Sequence, residues 1–225
     1  MSSLAARLAA IDSKIAARLA ANGRSLDSVT RIVVSKFHPA SMVRELHTLG
    51  VRDFGENRDQ EASSKAAEVA DLELSWHFIG QLQSNKVKSV LEYASVIHSV
   101  DRESLLTALT KQTAERQTPI DVFVQVNLTD DPGRGGINEP ELLAFANQVA
   151  LAPGLRLLGV MAVASLDGEE ERDFARVARL SELLVREHVE AKFISAGMSN
   201  DFELAIDYGA THLRIGTAIT GNREY

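Results

Sequence analysis

The chain has 225 residues, 45% hydrophobic and 24% charged, with no cysteine and a formal net charge of −7. The length admits one large domain or two small ones, and the composition is that of a globular chain rather than a disordered one. The missing cysteines exclude disulfides and thiolate chemistry, the acidic balance argues against nucleic acid or an anionic membrane as partner, and no apolar run reaches the roughly 18–20 residues of a membrane span.

Residues 4–21 come first, with Leu4, Leu8, Ile11, Ile15 and Leu19 at helical spacing. Charges stand between them, so about residues 1–24 read as an amphipathic packing helix, not as a secretory signal or a mitochondrial presequence. "RIVVS" (31–35) follows as a strand that runs into Lys36, and Pro39 and Gly50 bracket a helix. "VRDFG" (51–55) is a short strand, followed by a helix from "ENRDQ". "SWHFIG" (75–80) is a strand, followed by a helix that Ser84 caps. "SVIHSV" (95–100) leads to a helix capped by Asp101, and "IDVFVQVNL" (120–128) leads past a Gly-rich turn to another. "LRLLGVMAV" (155–163) precedes a helix over 169–188 with glutamates in its first turn, where the helix dipole favours them. "KFISAG" (192–197), a helix ending near Gly209, "THLRIG" (211–216) and "TAITGNREY" complete the pattern.

Eight strand–helix units call for a parallel sheet buried on both faces. Their number and length predict a single-domain (β/α)8 TIM barrel over 1–225, of class α/β, with the N-terminal helix as an extra element. A doubly wound open sheet is the alternative, and it lacks a G-x-G-x-x-G turn after the first strand.

Barrel chemistry gathers at the C-terminal ends of the strands. Lys36 stands at the first, after a strand apolar on both faces, and is a candidate amine nucleophile there. Either Asn57 or Glu56 points into the mouth from "FGEN". His77 reads as a hydrogen-bonded core residue, and Asn85 as a cap or site edge. Met161 either lines the mouth or packs. Ser199 in "ISAGMSND" and Gly216–Thr217 in "LRIGTA" follow strands seven and eight, where barrels frequently bind phosphate. Arg214 alternates with Leu213 and Ile215, so it points inward if they face the helices. There it needs a partner, either a carboxylate such as Glu56 or Asp201 or a ligand atom. No metal-binding set stands out.

Together "VSKFHPA", "FGEN", "WHFIGQLQSNK", "AGMSND" and "RIGTAI.G.R.Y" resemble the pyridoxal phosphate homeostasis protein family, itself similar to the barrel domain of alanine racemase. The resemblance runs from about Leu4 to Tyr225. It implies that Lys36 forms a Schiff base with pyridoxal 5'-phosphate. It further implies that Ser199, Gly216 and Thr217 hold the phosphate, Arg214 faces the pyridine nitrogen, and Asn57 and Met161 border the ring. Phe37–His38 and "DPGRGG" depart from the residues many relatives carry, and both lie at the mouth.

An arginine at the ring nitrogen donates a hydrogen bond but does not protonate the ring, which restrains carbanion chemistry. The racemase pattern also draws a tyrosine from an additional β domain, and the chain ends soon after the last strand. The expectation is therefore a non-catalytic, cytoplasmic carrier of pyridoxal 5'-phosphate. It would be a monomer, would bind neither nucleic acid nor membrane, and would buffer the cofactor or deliver it to cofactor-requiring apo-enzymes. A small amino-acid racemase is the alternative, with Tyr225 the tyrosine to check, and a Schiff-base aldolase acting on sugar phosphates is a third.

Overall fold

A computed structural model describes residues 3–129, 131–165 and 168–221. Among them, eight parallel strands close into a barrel in chain order. They are β1 (Thr30–Val34), β2 (Asp53–Glu56), β3 (Ser75–Phe78), β4 (Ala94–Val100), β5 (Ile120–Gln125), β6 (Leu155–Met161), β7 (Phe193–Ser195) and β8 (His212–Ile215). The expected (β/α)8 barrel is the observed fold, and the open sheet is excluded because β8 pairs with β1 from Thr30↔His212 to Val33↔Ile215.

Helices α1 (Leu4–Ala21), α2 (Ala40–Thr48), α3 (Asp59–Glu68), α4 (Val87–Val90), α5 (Glu103–Thr113), α6 (Leu142–Leu151), α7 (Glu170–Glu187), α8 (Phe202–Asp207) and α9 (Thr217–Thr220) cover the barrel. All five apolar positions of α1 are buried, and the helix lies against α8 and α9. Arg7 of α1 donates to the Ile219 carbonyl at 2.7 Å, which ties it to the last helical turn.

Strand parity separates two cores. Val33, Phe54, Trp76, Phe78, Ile97, Val122, Val124, Leu213 and Ile215 face the helices. Val96, Phe123, Leu158 and Met161 fill the barrel interior. The register of β5 on β6 slips between Val122↔Leu157 and Phe123↔Gly159, so Leu158 and Met161 both face inward despite their odd spacing.

Two caps differ from expectation. The residues after Ser84 form a 3-10 turn and the one-turn α4 rather than one helix, and Ser84 Oγ donates across to the Ser104 carbonyl. Asp101 does not cap α5. Its carboxylate accepts from Arg102 at 2.6 Å and from the Gly136 N–H at 3.2 Å, anchoring the Gly-rich loop instead. No helix among the described residues is long and apolar enough to cross a membrane.

Candidate functional site

A cavity of about 830 Å³ opens at the C-terminal end of the barrel. Lys36, Asn57, Ser199, Arg214, Gly216 and Thr217 all line it, so six of the seven residues singled out in the sequence meet in one place. Met161 does not line it and lies in the interior core, 2% exposed.

Lys36 stands two residues beyond β1, exposed, and no described residue hydrogen-bonds or ion-pairs with its amine; the Phe37 ring lies 5.9 Å from Nζ. The turn that presents it is held from behind. Lys65 of α3 donates to the Ser35 carbonyl at 2.8 Å, to Glu56 at 2.5 Å and to Glu61 at 3.1 Å. Glu61 in turn accepts from the Phe37 N–H. Phe37 sits at φ 70, in the left-handed region that side chains rarely adopt, so these clamps hold a strained turn. Glu56 therefore faces α3 rather than the cavity. Burial pushes its carboxyl above the usual range, while Lys65 and then Ser35 pull it back.

Asn57 remains at the mouth, with its side-chain oxygen buried and without a hydrogen-bond partner. Gly80 makes that position possible. A Cβ there would lie 2.2 Å from the Asn57 carbonyl oxygen, so only glycine allows the ends of β2 and β3 to approach so closely.

Arg214 points inward, as its alternation with Leu213 and Ile215 requires, and is 4% exposed. It pairs with neither Glu56 nor Asp201. Instead it donates to Ser195 Oγ at 2.5 Å and to the Ala162 carbonyl at 2.8 Å. Burial lowers its pKa to about 10, so the guanidinium stays charged at neutral pH. A buried cation whose contacts are neutral, lining a cavity, has capacity left for a ligand acceptor.

Just beyond β8, the Gly216 N–H, the Thr217 hydroxyl and the Ala218 N–H all converge on Ser199 Oγ, at 3.2, 3.4 and 3.3 Å. Gly197, at φ 90, turns the chain so that Ser199 comes back over them. Convergent donors of this kind suit an anion.

His77 is buried and hydrogen-bonded, and Asn85 is exposed in the 3-10 turn before α4. Tyr225 lies outside the described residues. Sequence reasoning passed over Lys65, Arg18 and Glu170. The first sits in "SSKAAE" like any surface lysine, and the other two reach the cavity from α1 and α7 across the fold. No group of histidines and acids able to hold a metal occurs among the described residues.

The profile of the alanine racemase N-terminal domain matches residues 14–224. The pyridoxal phosphate homeostasis protein of Pseudomonas aeruginosa is 43% identical over 225 residues, spanning 100% of this chain and 98% of that one. Its namesake from Escherichia coli K12 is 40% identical over 232 residues, spanning 100% and 99%. The solved structure of PipY from Synechococcus elongatus with PLP bound superposes with a TM-score of 0.81 at 37% identity, covering 92% of this chain and 100% of that one.

Proposed function

The chain belongs to the pyridoxal phosphate homeostasis protein family, and on that premise we propose that it binds pyridoxal 5'-phosphate through a Schiff base to Lys36 and holds and releases it in vitamin B6 homeostasis. The PLP-bound relative and the names of the curated relatives support the ligand. The observation that carries the reading is that one cavity joins a free lysine amine, a buried guanidinium with spare donors and a nest of N–H and O–H groups.

The residues fit the group. Ser199, Gly216 and Thr217 would hold the phosphate, which the N–H and O–H donors now gathered on Ser199 Oγ suit. Arg214 would donate to the ring nitrogen, and the orphaned Asn57 oxygen would border the ring. The Lys36 amine would be the group that captures the aldehyde, with loss of one water. When bound, the cofactor supplies an aldehyde that amines capture reversibly and a ring that withdraws electrons. The guanidinium keeps its own proton and so leaves the ring nitrogen unprotonated, which limits that withdrawal.

The described lining of the cavity contains no tyrosine or histidine to serve as a second acid–base group opposite Lys36. The names of the curated relatives support a carrier that buffers the cofactor or delivers it to apo-enzymes without turnover of its own. The chain acts as one monomeric domain over 1–225 in the cytoplasm.

The test is the visible spectrum of the purified protein beside Lys36→Ala, after pyridoxal 5'-phosphate is added and the excess removed. A yellow band in the wild type that Lys36→Ala lacks is expected. No band in either, or robust amino-acid racemase turnover in the wild type, refutes the carrier.

A further inference from the structure

Small parallel barrels fill their interiors mainly with branched apolar side chains. This one places an uninterrupted polar line there. Arg214 Nη1 lies 2.5 Å from Ser195 Oγ, and Ser195 Oγ lies 2.8 Å from His98 Nδ1. His98 Nε2 lies 2.9 Å from His77 Nδ1, and His77 Nε2 lies 3.1 Å from Asp53 Oδ1. Five strands contribute, and everything between the ends is buried: Ser195 and His98 are 0% exposed and His77 3%. Asp53 opens β2 and lines a cleft of about 610 Å³ under α1, at the end of the barrel remote from Lys36.

The chemistry of the end groups sets the direction of the line. A guanidinium only donates and a carboxylate only accepts. Burial lowers the pKa of His98 well below that of an ordinary histidine, so its ring is neutral with one N–H. If each ring carries one proton, and His77 Nε2 serves Asp53 at 3.1 Å rather than Ser75 Oγ at 3.4 Å, one arrangement gives each contact of the line one proton. Arg214 donates to Ser195, Ser195 to His98 Nδ1, His98 Nε2 to His77 Nδ1, and His77 Nε2 to Asp53. All donors run one way, from a buried cation that touches no carboxylate to a carboxylate at the far end of the barrel.

We infer that Ser195, His98, His77 and Asp53 are positioning residues for Arg214, forming a one-way hydrogen-bond chain that fixes which guanidinium N–H groups face the cavity, with the carboxylate of Asp53 as its terminal acceptor. This role rests on the reading of Arg214 as the residue that meets the cofactor ring. Ser195 and the Ala162 carbonyl fix the fork of Arg214, and the donors they leave serve the ligand. A change at Asp53 therefore reaches the cofactor without touching the cavity.

Two measurements test it. In cofactor-free protein labelled with 15N-histidine, long-range 1H–15N correlations report the tautomers directly. Nε2–H on both His77 and His98 is expected, and an Nδ1–H tautomer on either overturns the inference. Second, pyridoxal 5'-phosphate is titrated into wild type, Asp53→Asn, Asp53→Glu and Ser195→Ala, each first shown to be folded by circular dichroism. Asp53→Asn and Ser195→Ala are expected to bind about 3- to 30-fold more weakly with a shifted absorption maximum, and Asp53→Glu, which keeps the carboxylate, to bind like wild type. Wild-type affinity and spectrum in Asp53→Asn overturn the chain while leaving the cofactor reading intact. No binding by the wild type overturns the cofactor reading, and with it this role.

Discussion

The ammonium of Lys65 donates to the main-chain carbonyl of Ser35 at 2.8 Å, one residue before Lys36. One lysine is thus consumed in building the turn and the other is left free at its crest. Lys65 is 4% exposed and its partner Glu56 0%. Removing one member of a buried pair strands the other charge, at a cost of about 3–5 kcal/mol, whereas removing both is far milder. Lys65→Met is expected to lose stability on that scale in urea unfolding, and Glu56→Leu/Lys65→Met to recover most of it. Equal destabilisation of the single and double variants would show that the pair is not the cause.

Gly80 tests how closely the mouth is built. The 2.2 Å approach of a Cβ to the Asn57 carbonyl is to backbone, which cannot rotate away. Gly80→Ala therefore has to separate the ends of β2 and β3, at about 1–3 kcal/mol by analogy with overpacked cores. Thermal melts should show that loss, and cofactor titration a weaker site, because Asn57 moves with the strand.

Stability should depend on pH through the interior histidines. Burial, reinforced by His77, lowers the pKa of His212 to about 3 from an ordinary 6.5. The unfolded chain then binds a proton that the folded one refuses, so the stability present above pH 6.5 is lost as pH falls toward 3. The slope is about 1.4 kcal/mol per pH unit for one such group. Between pH 7.5 and pH 5, His212→Asn should lose about 2 kcal/mol less than the wild type in urea unfolding. An unchanged difference between the two pH values would mean that His212 takes up its proton as readily in the fold as in the unfolded chain.

The fold was legible where periodicity is unbroken. Leu4, Leu8, Ile11, Ile15 and Leu19 repeat at helical spacing and are the buried residues of α1. Leu213, Arg214 and Ile215 alternate without a bulge, so the inward direction of Arg214 followed from its neighbours. Met161 did not follow, because the slip at Gly159 breaks the alternation within β6. Asp101 read as a cap from local sequence, yet a loop more than 30 residues later takes its carboxylate. The Asp53–His77–His98–Ser195 line is invisible in the sequence for a simpler reason. Its members come from four strands, and only the closed register brings them together.

The most direct test of the central claim is to reduce the protein with borohydride after it has been loaded with pyridoxal 5'-phosphate, and to map the labelled peptide by mass spectrometry. Lys36 presents a free amine in the cavity, while Lys65 is held by a carbonyl and two carboxylates. A single stoichiometric label on Lys36, absent from Lys36→Ala, is the predicted result. Label on Lys65, label scattered over surface lysines alike in wild type and variant, or no label at all would contradict it.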